Sequence, residues 1–212
     1  MISRVLYRPF DESDFEPCAQ IVQDAWHKDS GNEVYNFFEA AADFSYCLSV
    51  STFSQVAVVD GRVCGIVLAR TGKRNMKTSD HWAQAEHDII QQMQQIEPEL
   101  TDRYLTFIKT QVRINNCLIE QCPQTPPDEI TLLAVSSSTR GLGVGSVLLD
   151  AACSHVTNQG GTSAYLFTDT DCSYKFYEHR RFKRAAAHRA NLNERFCSLP
   201  RESFLYTLDL NA

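Results

Sequence analysis

No stretch of this chain stays apolar for the ~18 residues that a membrane-spanning helix needs, so no membrane partner is expected. Residues 1–4 lack the long apolar segment of a secretory signal, and a cytoplasmic protein is expected. Positive charge is scarce: 20 Lys and Arg face 26 Asp and Glu, a net charge of −6 with no long basic run. That balance does not suit a nucleic-acid backbone, so nucleic acid is not an expected partner. It mildly favours cationic partners such as amines. The eight cysteines form no C-x-x-C pair, and most lie in apolar surroundings where cysteine acts as a small hydrophobe. Reduced thiols are expected rather than a disulfide framework. His81 and His87 would share a helix face poorly, so no zinc cluster emerges and no metal is expected. Repeats and low-complexity tails are missing as well.

What remains is a chain of 212 residues, 43% hydrophobic, long enough for one domain over residues 1–212 with a substantial core. Its organising stretch begins with Ile130-Thr131-Leu132-Leu133-Ala134-Val135. This largely apolar run is bounded by Pro126-Pro127 and Ser136-Ser137-Ser138-Thr139, and it reads as a buried strand. Arg140-Gly141-Leu142-Gly143-Val144-Gly145-Ser146 follows. Then comes a helix with Val147, Leu148, Ala151, Ala152 and His155 on one face. Glycines leave the backbone bare where strand becomes helix. Bare N–H groups and the positive end of a helix dipole make a seat for a phosphate or diphosphate. A triphosphate-binding loop would close on Gly-Lys-Ser/Thr, and this stretch has no lysine. A Rossmann dinucleotide site is the nearer rival, with Asp169 placed where a ribose-binding acid could sit. Yet five polar residues separate strand from first glycine here, where the Rossmann turn is tight.

Residues 4–8 read as a first strand stopped by Pro9. Asp11 or Ser13 can cap a helix carrying Phe15, Ala19, Val22, Ala25 and Trp26, which Ser30-Gly31-Asn32 stops. Val34, Phe37, Phe38 and Ala41 mark a second helix. Residues 55–59 and 62–69, joined by Asp60-Gly61, are the clearest hairpin, and Asp-Gly favours a type I′ turn. Residues 72–127 carry two helical stripes, Ala85, Ile89, Met93 and Ile96, then Leu105, Ile108, Val112 and Ile119. Glu97-Pro98-Glu99 separates them. A strand over 164–168, a short helix over 172–180 and strands over 182–187 and 204–208 complete the chain. A Rossmann domain would repeat strand–helix–strand units and seldom end in two strands with no helix between them.

Val135, four residues, then Arg140 and Gly141-Leu142-Gly143-Val144-Gly145 resemble the Arg/Gln-x-x-Gly-x-Gly/Ala segment of the GCN5-related N-acetyltransferase (GNAT) superfamily. The order of elements matches that family, with 72–127 as a helical insertion between third and fourth strands. Tyr174-Lys175-Phe176-Tyr177-Glu178-His179-Arg180-Arg181-Phe182 is similar to the family's Asn-x-x-Ala-x-x-x-Tyr-x-x-x-Gly-Phe pattern. Thr170, Ser173 and Arg181 stand where Asn, Ala and Gly are usual. Arg8-Pro9 with Asp14 also matches how many such chains open.

The resemblance implies a mixed α/β fold, a three-layer α/β/α sandwich whose mostly antiparallel sheet splays between strands 4 and 5. It implies acetyl-CoA as co-substrate. The backbone of Gly141, Leu142, Gly143, Val144, Gly145 and Ser146 would hold the diphosphate beside the charge of Arg140. A bulge would splay the fourth strand, leaving Leu133, Ala134 and Val135 to pair with the pantetheine arm and to supply an oxyanion donor. Thr170 falls where the family contacts the CoA arm, and Tyr177 where many members protonate the departing sulfur.

Moving acetyl from a thioester to an amine needs a deprotonated amine, a fixed donor for the oxyanion and a proton for the thiolate. The Tyr177 phenol, with an ordinary pKa of ~10, is protonated at neutral pH and can donate. Packing behind its helix, like Phe176, is its other reading. Glu129 begins the fourth strand, about 20 Å from the glycine turn at ~3.3 Å per residue, and is the candidate base. An exposed residue leading out of Pro126-Pro127-Asp128 is an equal reading, and His179 is an alternative base. The expected activity is direct, ternary-complex transfer from acetyl-CoA to a primary amine of a small molecule or protein. The alternative is a non-catalytic acyl-CoA-binding sensor or interaction module on the same fold. The insertion either packs on the body or a partner chain, or walls the acceptor pocket. Its apolar surface leaves a homodimer open.

Overall fold

Asp60 and Gly61 both take positive φ, 49° and 78°, as a type I′ turn requires. They join β2 (Phe53–Val59) to β3 (Arg62–Arg70) in the expected hairpin. The structure is a computed structural model that describes residues 4–28, 30–72, 76–139 and 141–211. Around the hairpin lie β1 (Val5–Arg8), β4 (Asp128–Val135), β5 (Ser163–Asp169), β6 (Lys183–Arg189) and β7 (Glu202–Asp209). The described residues form one seven-stranded sheet in the order β1-β2-β3-β4-β5-β7-β6. Every neighbouring pair is antiparallel except β4 and β5. This is the mixed sheet with flanking helices that the sequence implied.

Strand alternation divides the core into two layers. Val56, Val58, Ile66, Leu68 and Ala134 face α1 (Phe15–Trp26) and α2 (Glu33–Val50). Ala57, Val67, Ala69 and Ile130 face α5 (Val144–Asn158), with α6 (Tyr174–His179) beside it. The entry to α1 is fixed twice. Asp11 accepts the Ser13 N–H at 3.0 Å, and Asp14 accepts the Asp11 N–H at 2.9 Å while bound to Arg8 at 2.6 and 2.8 Å. Asn32 caps α2 through the N–H groups of Val34 and Tyr35.

Residues 72–127 supply α3 (Met76–Ile96) and α4 (Pro98–Glu120), with Pro98 in the first turn of α4 where its missing N–H costs nothing. Both pack on the body. Trp82 of α3 stacks on Phe15 at 5.3 Å, among Phe10 and Phe44. In α4, Tyr104 packs with Tyr35, Ala42 and Met93, whereas Ile114 and Leu118 pack with Tyr165, Ala186 and Leu205. Because α4 touches a helix layer and the sheet at once, its buried residues do not follow a single stripe. Val112, expected inside, is 50% exposed. Ile96, expected on the α3 stripe, is exposed too.

Three further details differ from the sequence reading. The buried face of α5 is Val144, Leu148, Leu149, Ala152 and Val156, and Val147 turns to solvent. The helix expected from 172 begins at Tyr174. An unforeseen short helix, α7 (Leu192–Phe196), interrupts the β6–β7 connection. It has no apolar period, but its capping box was readable: Asn191 accepts the Glu194 N–H, and Glu194 accepts the Asn191 N–H. Glu194 is buried and also binds Arg113 of α4 and His188 of β6, tying α7 to both. Among the described residues no helix is long and apolar enough to cross a membrane.

Candidate active site

Among the described residues, β4 and β5 are joined by two rungs, Asp128 opposite Ala164 and Glu129 opposite Tyr165. Beyond Glu129 they part, although β4 runs on to Val135 and β5 to Asp169. Each stays paired on its outer side, β4 with β3 as far as Val135 and β5 with β7 as far as Asp169. Two inner edges therefore face a gap with main-chain groups that no ladder occupies. A register shift marks where β4 bends: Leu132 lies opposite Leu68 and Ile130 opposite Ala69, so Thr131 is the extra residue of a bulge. The bulge precedes Leu133, Ala134 and Val135. Thr131 is pinned by a 2.6 Å hydroxyl contact with Ser51 at the end of α2.

The glycine turn lies at the open end of the gap. Gly143 is the N-cap of α5 at φ +77°, a left-handed conformation that a side chain would strain, and no side chain caps the helix. The Val147 N–H reaches back to the Gly143 carbonyl at 3.1 Å. The N–H groups of Val144, Gly145 and Ser146 precede that bond, at the positive end of the helix dipole. Gly145 faces both neighbours: a Cβ there would stand 3.5 Å from Val135 Cγ2 and 3.9 Å from Phe176 Cζ. The start of α5, the end of β4 and α6 thus converge. Leu142 is exposed. Arg140 lies outside the described residues.

On α6, the Tyr177 ring packs edge-on to Phe176 at 5.3 Å and to Phe182 at 5.7 Å. Burial pushes its phenol pKa well up, helped by the nearby Cys172 and Asp169, so the phenol is neutral at physiological pH. Cys172 accepts the Trp26 indole N–H at 3.3 Å from the end of α1, and burial pushes its thiol up to about 12. At the other end of the gap Glu129 is half-enclosed, with its side chain 15% exposed. Arg70 donates to it at 2.6 Å and the Tyr165 hydroxyl at 3.0 Å. Burial raises the Glu129 pKa, and Arg70 and Tyr165 pull it partly back.

A model of the acetyltransferase (GNAT) family matches residues 15–182. The chain belongs to that family.

No curated protein matches it in sequence. Solved structures with a similar fold include the ribosomal-protein-S18-alanine N-acetyltransferase from Escherichia coli. It is 10% identical, with a TM-score of 0.56 over 98% of this chain and 94% of that one. Aminoglycoside 6′-acetyltransferase type Ii is 16% identical, with a TM-score of 0.57 over 97% of each chain. The NatC complex bound to Gag peptide and CoA is 15% identical, with a TM-score of 0.52 over 97% of this chain and 98% of that one. At such identities the likeness carries the fold.

The GNAT family uses acetyl-CoA. In this member the gap and the glycine turn are both built from main chain, which suits a long ligand with amides at one end and a diphosphate at the other. Thr170 is less free than its place in the motif implied. Its N–H donates to the Glu202 carbonyl at 3.0 Å, and its hydroxyl accepts the Glu202 N–H at 3.2 Å, leaving one hydroxyl hydrogen to offer. His179 is exposed in the last turn of α6. Glu129 and Tyr177 are not brought into contact. The Glu129–Tyr165 rung lies four residues along β5 from Asp169, about 13 Å at strand rise. Arg70 and Tyr165 were missed in the sequence, since neither sits in a motif. The register across three strands is what assembles them. Among the described residues no group of three or more His, Cys, Asp or Glu side chains could hold a metal.

Proposed function

We propose that this protein is an N-acetyltransferase that moves the acetyl group of acetyl-CoA directly to a primary amine of a small molecule or protein. We further propose that residues 1–212 act as one domain in which 72–127 is an insertion. The observation that carries the reading is the parting of β4 and β5 after two rungs. The main-chain groups of the Leu133-Ala134-Val135 run that point away from β3 suit the amides of a pantetheine arm, as a strand edge suits an added strand. A backbone N–H in the same run is the candidate oxyanion donor. In the 141–146 segment the Leu142 N–H is bonded to the Thr139 carbonyl at 3.3 Å, whereas the N–H groups of Val144, Gly145 and Ser146 suit a diphosphate, and Arg140 would add charge there. Thr170 has one hydroxyl hydrogen left for the CoA arm.

Tyr177 is the proposed acid. Its neutral phenol donates a proton to the departing sulfur, and no described side chain engages its hydroxyl in a hydrogen bond. Glu129 is the proposed base, taking the amine proton directly or through water; its raised pKa brings it nearer to working pH. Direct transfer in a ternary complex is favoured over an acyl-enzyme. Cys172, the thiol beside Tyr177, is pushed up to about 12 and is a poor nucleophile at neutral pH.

The test is release of free thiol from acetyl-CoA against a panel of primary amines, with CoA binding measured separately by calorimetry. Amine-dependent release is the expected result. CoA binding without release across the panel would replace this reading with a non-catalytic acyl-CoA-binding module. No affinity for CoA would remove both.

A further inference from the structure

Both donors that reach Glu129 converge on one of its oxygens. Arg70 Nη2 donates to Oε2 at 2.6 Å, and the Tyr165 hydroxyl donates to the same Oε2 at 3.0 Å. Arg70 Nη2 also donates to the Tyr165 oxygen at 2.8 Å, closing a triangle. Arginine commonly forks across both oxygens of a carboxylate. Here it does not, and among the described residues no donor engages Oε1. The three residues come from adjacent strands in one row, Arg70 of β3 opposite Glu129 of β4, and Glu129 beside Tyr165 of β5. That row is the last rung before β4 and β5 part, so the carboxylate stands at the closed end of the gap.

We propose that Arg70 and Tyr165 are positioning residues that hold Glu129 by Oε2 and leave Oε1 as the oxygen that takes the proton of the acceptor amine. The proposal rests on the reading of Glu129 as the base. In the step, an N–H bond of the acceptor ammonium breaks and its electron pair stays on nitrogen. The proton bonds to Oε1, giving a neutral carboxylic acid that returns it to water after transfer. The free amine then attacks the thioester.

The surroundings leave Arg70 as the nearest charge on Glu129. From α2, Tyr46 and Cys47 lie within electrostatic reach of Glu129, and burial raises the pKa of both, so they are neutral at pH 7. Asp43 of α2 and Glu86 of α3 lie around Cys47, and they disfavour a second negative charge there. Tyr165 is held neutral by burial and by Glu129 itself. Arg70 and Tyr165 both favour the carboxylate form of Glu129, whereas burial opposes it.

The test is the pH profile of kcat/KM for one fixed acceptor, so that the acceptor's own titration cancels between variants. Wild type is expected to show an acidic limb, and Glu129→Gln is expected to abolish it. Tyr165→Phe and Arg70→Gln are each expected to move that limb to higher pH by on the order of one unit, a roughly tenfold loss below the limb. Arg70→Lys should return it part of the way. In the Glu129→Gln background neither change should move the profile further. A direct reading that needs no turnover is the carbon-13 shift of the Glu129 carboxyl, whose titration should move up by the same amount in Tyr165→Phe. A merely structural triangle would lower melting temperature and shift the carboxyl titration while leaving the kcat/KM limb where it is in wild type, and that result would overturn the proposal. A Glu129→Gln enzyme with the wild-type profile would instead remove the base reading itself.

Discussion

Trp26, the last residue of α1, donates its indole N–H to the sulfur of Cys172, 146 residues further along the chain, at 3.3 Å. The contact joins the helix layer on one face of the sheet to the loop that leads into α6 on the other. It does so beside Tyr177, whose phenol feels both Cys172 and Asp169.

Binding of CoA in the gap should therefore be visible from Trp26. The chain has two tryptophans, and the other, Trp82, is 8% exposed within the α1–α3 core. Titrating CoA should change indole fluorescence in wild type and in Trp82→Phe. The change should vanish in Trp26→Phe. An unchanged response in Trp26→Phe would place the ligand elsewhere.

Tyr177→Phe tests the acid. The ring keeps its edge contacts with Phe176 and Phe182, so the melting temperature should stay near wild type. Losing the donated proton should lower kcat on the order of 10²-fold, with KM for acetyl-CoA little changed. Full turnover in this variant would return Tyr177 to a packing role.

Gly143→Ala tests the anion seat. Nothing lies within 4 Å of the new Cβ, so the cost is the left-handed backbone at φ +77°, about 1 kcal/mol of strain. Relaxing that strain would turn the first N–H groups of α5. Calorimetry should show CoA affinity falling at least tenfold, with only a small drop in melting temperature. Equal affinity would argue that the turn does not hold the diphosphate.

His27 makes stability depend on pH. Burial alone would lower its pKa, but the bonds to Asp43 at 2.9 Å and Glu39 at 3.3 Å outweigh it and raise the imidazole to about 9. A pKa raised in the folded state means the stabilisation is complete below the unfolded value near ~6.5 and is lost as pH rises through about 9. Its size is on the order of 3 kcal/mol. Chemical denaturation should show His27→Gln much less stable than wild type at pH 6 and close to it at pH 10. A gap that does not narrow with pH would mean the ring acts through shape alone.

Local pattern carried much of this fold. Asp60-Gly61 announced the hairpin because two adjacent residues must take positive φ there, which few other pairs tolerate. The 140–146 glycines announced the turn into α5 for a similar reason, since Gly143 sits at φ +77°. The buried residues of α4 were harder to read, because Tyr104 and Ile114 serve two different surfaces and no single period describes both. The helix α7 was hidden because five residues are too few for periodicity.

The amino-acid sequence by itself determined the order of the strands and the longer helices, the bare turn before α5 and the family to which they belong, because these depend on neighbours within a few residues. It could place Glu129 at the head of a strand, but not say what would hold it there. Only the tertiary structure decided that, by setting the register of β3, β4 and β5 so that Arg70, Glu129 and Tyr165 share a row. The physical reason is that register comes from packing both faces of a sheet at once, and a slip of one residue would send Glu129 to the opposite face.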